Sequence, residues 1–251
     1  MIGIMSAMDE EIAVLIERLD LKEKKIIANR EYMRGILYGH EVVLSLSRWG
    51  KVAASQTATT LITVFNVEKI IFTGVAGGAD PSLNIGDIVI STELVQHDVD
   101  ASPIPPLKRF EIPLIGISHF KADESLIEKA MASAQAYVTN HLYEEVDHGY
   151  LKEYSITTPK IVKGLIASGD LFIADAKKIH ELRHALPGLQ CIEMEGAAVA
   201  QVCYEHDIPF VVIRAISDKS DHSAVMDFPK FVKYIDAHYS NGIIRGILAN
   251  S

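Results

Sequence analysis

The segment Pro209 to Asp218, PFVVIRAISD, is apolar until Arg214, Ser217 and Asp218 interrupt it, the pattern of a buried strand with charge near its carboxyl end. Charge inside an apolar layer is costly to desolvate, and in open α/β sheets the carboxyl edge is where ligands bind. Shortly before it stands QCIEMEGAAVA, Gln190 to Ala200. As extended chain this stretch sends Ile192 and Met194 to one face and Glu193 and Glu195 to the other, so two carboxylates share one side of a strand. From Gly196 to His206 the pattern turns helical and apolar. The chemistry is expected here.

The rest of the chain supplies matching elements. Ile2 to Ala7 reads as a short buried strand, and Asp9, Glu10 and Glu11 open a helix whose apolar residues recur at Ile12, Val14, Leu15 and Leu19. Acids in a first helical turn compensate the dipole, and that reading stands beside any chemical one for Glu11. Tyr32 to Tyr38 and Glu41 to Ser47 form a hairpin turned at Gly39-His40, and Lys51 to Phe65 a helix of small residues. Lys69 to Thr73 is a strand running into GVAGGAD, a Gly-rich loop whose spacing is neither GxGxxG nor a P-loop. Its glycines permit either a tight turn or a close approach to a ligand. The next strand ends at His97, Asp98 and Asp100, which lack the companions of a metal shell and read as a solvated strand end.

Ala101 to Phe120 holds four of the nine prolines, Pro103, Pro105, Pro106 and Pro113, and reads as a long irregular loop, a type often used as a lid. Asp123 to Leu142 is helical. Tyr143 to Pro159 lacks periodicity and reads as a surface insertion. Lys160 to Ala167 is a strand followed by SGDLFI, Asp175 to Leu186 a helix, and Phe228 to Leu248 one long amphipathic helix. Strands alternating with helices imply an α/β chain of three layers. No Ser-, Gly- or Pro-rich linker divides it, so one domain over residues 1–251 is expected.

Composition narrows function. The net charge of −9, spread along the chain, argues against binding a phosphate backbone, so nucleic acid is not an expected partner. Cys191 and Cys203 lie in apolar surroundings without ligand spacing, which fits packing residues in a reducing cytoplasm. No run approaches the ~18 apolar residues of a membrane span, and the start lacks the basic and apolar regions of a signal peptide. Neither metal nor organic cofactor is implied.

Five short motifs, SAMDEE, TGVAGG, SGDLFI, IEMEGAA and RAISD, occur in this order over most of the chain. In this they resemble the methylthioadenosine/S-adenosylhomocysteine nucleosidases of the nucleoside phosphorylase-like superfamily. The resemblance implies a three-layer α/β/α fold around a central mixed, partly closed sheet, a homodimer, and hydrolysis of the bond between adenine and ribose. Such a reaction builds positive charge on the sugar and negative charge on the purine, so it needs an acid at the base, a base for water and an anion near the sugar.

By the resemblance, Asp218 is the acid at purine N7, with Ser217 orienting it, and Glu11 activates the attacking water. Glu195 would accept hydrogen bonds from the ribose hydroxyls and lend charge to an oxocarbenium-like transition state. Arg214 would help to hold the water and the carboxylates. Phe172 would stack on the purine while the Ile173 backbone reads its edge. Met194, Phe228 and Met8 would pack on the ribose and 5′ substituent, with Ala76 and Trp49 bordering the pocket. Since an ordinary Asp has a pKa of about 3.9, burial or a water relay would be needed to keep Asp218 protonated.

Three departures bear on the 5′ substituent. Val75 stands where a Ser is frequent, Trp49 where an Ile is common, and ASPIPPLKRFEIP does not match the aromatic loop that often closes over the tail. A futalosine or aminofutalosine hydrolase would share every motif. A phosphorylase would need basic residues for phosphate, for which only Arg214 and Arg48 are candidates, and a silent nucleoside-binding protein would not need three acids.

Overall fold

The computed structural model describes residues 1–219 and 224–250. In chain order it runs β1 (Ile2–Ser6), α1 (Asp9–Arg18), β2 (Asp20–Ile27), β3 (Arg30–Leu37), β4 (His40–Leu46), α2 (Lys51–Thr63), β5 (Lys69–Gly78) and β6 (Ile88–Gln96). Then follow β7 (His119–Lys121), α3 (Glu124–Asn140), α4 (Leu142–Glu145), α5 (His148–Glu153), β8 (Ile161–Ser168), α6 (Ala176–Ala185), β9 (Leu189–Glu193) and α7 (Gly196–Glu205). β10 (Phe210–Asp218), α8 (Ala224–Phe231), a π-helical turn (Val232–Asp236) and α9 (Ala237–Ala249) complete it.

Five strands close on themselves. β5 pairs with β9, β9 with β8, β8 with β6, β6 with β10, and β10 returns to β5, with parallel and antiparallel steps mixed. From β5 the sheet continues through β1, β4 and β3 to β2, while β7 hangs on β6. The sheet is thus mixed and partly closed. Alternation along the strands supplies two cores: Ile4, Ile71 and Val211 face α1, α3 and α9, whereas Met5, Phe72 and Val212 face α2 and α7. Helices therefore cover both faces, the three-layer arrangement expected.

Several local expectations need correction. GVAGG is not a loop, because β5 runs on to Gly78, pairing Gly74 to Ala76 with Arg214 to Ile216. His97 is not solvated, being only 5% exposed, and its ring lies against Gly169, where an added Cβ would come within 2.4 Å. β2, DLKEKKII, was not legible: it is an edge strand with mostly exposed side chains, and its charges pair locally, Lys24 with Glu31 among them. Charge on an edge discourages pairing with other chains. The C-terminal helix is interrupted by the π-helical turn. Residues 143–159 hold most of α4, all of α5 and the buried residues Val146, Leu151, Ile156 and Pro159.

Close helix packing holds the outer layer. A Cβ on Gly242 of α9 would lie 2.1 Å from the ring of Tyr137 on α3, and that ring is fully buried. Gly242→Ala is therefore expected to cost about 1–3 kcal/mol through overpacking, read as a lower urea midpoint. An unchanged midpoint would show that α3 and α9 can separate at no cost.

Candidate active site

The site begins at the N-terminus of α1. Glu11, at the third helical position, folds back so that its Oε2 accepts the N–H groups of Ala7 at 2.7 Å and Met8 at 3.0 Å. Its Oε1 accepts the Val75 N–H of β5 at 3.1 Å. A glutamate at this position capping its own helix is ordinary; crossing to a second strand is not. The approach needs Gly74, where a Cβ would sit 2.5 Å from Oε1. Glu11 is 2% exposed. Burial pushes its carboxyl above the ordinary range, opposed by the charge of Arg214 and by the three N–H donors.

Beside it, β9 ends at Glu193, and the chain turns before α7. The expected alternation fails at this turn, so Ile192, Glu193, Met194 and Glu195 all border one hollow. Glu193 takes the direct ion pair with Arg214, at 2.7 Å. It also accepts the N–H groups of Glu195 at 3.1 Å and Gly196 at 2.8 Å, and the Ser168 hydroxyl. Among the described residues Glu195 accepts only the Gly50 N–H, at 2.8 Å, from the start of α2. Burial, with the Glu193 charge next, pushes the Glu195 carboxyl up to about 8.

Arg214 holds a carboxylate, as expected, but that carboxylate is Glu193. Its guanidinium is 1% exposed, lies over the Phe72 ring at 4.2 Å, and is not among the residues that border the hollow. A buried cation requires a paired anion, and Glu193 supplies it from beneath the site. Asp218, at the end of β10, is 3% exposed and accepts the Ser217 hydroxyl at 2.8 Å.

The hollow, together with the open solvent at its mouth, takes in about 610 Å³. Glu11, Glu195, Ser217 and Asp218 border it together with Met8, Ala76 and Val75. Phe172, Ile173, Met194, Phe228 and Trp49 form the rest of its wall. Phe172 and Trp49 stay about half exposed, at 48% and 58%. Phe228 stands edge-on to both rings, with centroids 6.1 and 6.3 Å away. Among the described residues no cluster of His, Cys, Asp or Glu is arranged to hold a metal ion. Sequence reasoning gave no role to Glu193, Gly74, Gly50 or Ser168; only the paired acids of IEMEGAA hinted at the first.

An acid-lined hollow at the carboxyl edges of a partly closed mixed sheet defines the class. The chain belongs to the phosphorylase superfamily, a model of which matches residues 1–249, and within it to the family of the 5′-methylthioadenosine/S-adenosylhomocysteine nucleosidases. It is 38% identical over 244 residues to such a nucleosidase from Bacillus cereus, covering 97% of this chain and 96% of the other. The Neisseria meningitidis nucleosidase solved with methylthio-immucillin-A superposes with a TM-score of 0.86 at 31% identity, covering 100% of this chain and 99% of that one. Futalosine hydrolase of Helicobacter pylori superposes with a TM-score of 0.83 at 31% identity, covering 100% and 97%.

The raised Glu195 carboxyl has a consequence for stability. Between the ordinary value of 4.5 and about 8 the folded chain keeps a proton that the unfolded chain has released. That contribution is complete below 4.5 and is lost as pH rises through about 8. Urea midpoints should therefore fall from about pH 5 to about pH 8, and Glu195→Gln should flatten the slope. A slope identical in both proteins would contradict the assignment.

Proposed function

We propose that this chain hydrolyses the N-glycosidic bond of 5′-substituted adenine nucleosides, methylthioadenosine, S-adenosylhomocysteine and 5′-deoxyadenosine, releasing adenine. The observation that carries the reading is the convergence of Glu11, Glu195 and Asp218, far apart in sequence, on one hollow beside Phe172. In this reading the purine lies against Phe172 with N7 at Asp218, whose carboxyl protonates it as the bond to C1′ lengthens. Ser217 fixes the rotamer of that acid. Water attacks C1′ and passes its proton to Glu11.

Glu195 works between these two. Its carboxyl, held near 8 in the free protein, releases its proton to the solvent on substrate binding, as ribose hydroxyls and a cationic sugar come within reach. It then stabilises the oxocarbenium-like transition state. Val75 lacks a hydroxyl, but its backbone N–H still orients Glu11. Met8, Met194 and Phe228 pack on the sugar and its 5′ group, with Trp49 and Ala76 at the border.

The phosphorylase alternative is disfavoured by the placement of its two candidate cations. Arg214 is committed to Glu193, and Arg48 donates to the Asn29 carbonyl. Futalosine hydrolysis stays as the second reading, favoured by the Helicobacter pylori neighbour. It is also favoured by a second, open hollow that adjoins the first at Met8, Trp49 and Phe228, on the side where a longer 5′ arm would extend. We further propose one domain with 143–159 as an insertion, a cytoplasmic setting in methionine salvage, and a homodimer. Free buried cysteines support the second.

Adenine or hypoxanthine release from a panel of 5′-substituted nucleosides, with and without phosphate, separates the readings. Turnover without phosphate is expected, with adenine nucleosides preferred; strict phosphate dependence would refute hydrolysis. Asp218→Asn and Glu11→Gln should each lower kcat by about 10²–10⁴-fold. Binding should be largely kept, followed by fluorescence of Trp49, the one tryptophan of the chain. Full turnover in Asp218→Asn would remove its acid role.

A further inference from the structure

Several carboxyl groups share one buried cation. Glu193, Glu11 and Glu195 all act on Arg214, and the same guanidinium acts on Asp236, which closes the π-helical turn. These acids are unequally supplied with donors. Glu193 has the guanidinium, a hydroxyl and two backbone N–H groups; Glu11 has three N–H groups; Glu195 has one. Among the described residues Asp236 has only the Ser240 hydroxyl, and its Oδ2 has no partner although the residue is 1% exposed. A carboxylate keeps its charge in an apolar core only where donors surround it. By that ranking Asp236, like Glu195, holds a proton, and Asp236 has the poorer supply of donors.

Its location gives the proton a consequence. The π-helical turn packs against α1, which carries Glu11, and against β5, which carries the Val75 N–H that holds Glu11. Burial, then the charge of Glu11, pushes the Asp236 carboxyl far above the ordinary range. Tyr239 of α9 and Tyr137 of α3 also feel Asp236. β5 contributes no titratable side chain beyond Lys69 at its start, and Lys230 of α8 pairs outward with Glu153.

We propose that Asp236 is a positioning residue for Glu11: the two carboxyls carry one negative charge between them across neutral pH, the proton on Asp236 and the charge on Glu11. The inference rests on Glu11 being the group that activates water. Such a pair titrates in two joint steps. The first makes Glu11 competent. The second sets two adjacent charges beside a guanidinium already committed to Glu193, and activity declines on the alkaline side.

The test is an infrared pH titration of the full chain as wild type, Asp236→Asn and Glu11→Gln. Besides the Glu195 carboxyl, protonated up to about pH 8, wild type should show a second protonated carboxyl band at neutral pH that is missing in Asp236→Asn, and in Glu11→Gln that second band should titrate at least about one pH unit lower. In Asp236→Asn the alkaline limb of kcat/KM should move up by about one pH unit or more. Absence of the second band in wild type, its persistence in Asp236→Asn, or an unmoved midpoint in Glu11→Gln, would overturn the pair. So would a uniform loss of kcat/KM at every pH, which marks a structural role. If Asp236→Asn does not fold, carboxyl NMR of aspartate-labelled wild type and Glu11→Gln reads the same shift. Full turnover in Glu11→Gln would instead refute the base assignment while leaving the shared titration readable.

Discussion

Arg214 lies in the middle of β10 with its guanidinium wholly inside the protein, 2.7 Å from Glu193 and over the face of Phe72. Removing one partner of such a buried pair typically costs ~3–5 kcal/mol, because the other is left charged and unpaired. The pair joins β10 to the end of β9, and the turn after β9 then depends on Glu193, which receives the N–H groups of Glu195 and Gly196. The first turn of α7 and the direction of Glu195 therefore follow from an ion pair beneath the hollow. Glu11 is steadied by the same positive charge from the other side.

One cation among several buried acids also explains why these acids differ. Donor supply and distance from Arg214 decide which carboxyl is ionised, and the same residue type can then act as base, sugar anion or proton holder. Glycines make the spacing achievable. Gly74 lets Glu11 reach β5, and Gly50, at φ 90°, turns its N–H towards Glu195 at the start of α2.

Much of this was legible in the sequence because burial and charge coincide in short motifs. PFVVIRAISD and IEMEGAA locate the site, and motif order by itself points to Glu11, Glu195, Phe172 and Asp218. What stayed hidden depends on tertiary contact. Arg214 reads as a ligand-side cation until its pairing with Glu193 is seen, and GVAGG reads as a loop because strand propensity disfavours glycine. β2 buries no regular face, so alternation cannot reveal it. The π-helical turn leaves the apolar pattern of the last helix intact, and Asp236 within it looks like any polar helix residue.

The central claim is that the three acids address different atoms of one nucleoside. A crystal structure with a non-hydrolysable methylthioadenosine analogue tests it directly. Asp218 should lie about 3 Å from the purine position equivalent to N7, with Glu195 across the ribose hydroxyls and a water held between Glu11 and C1′. An analogue bound with its base towards Glu11, or outside the hollow, would contradict it.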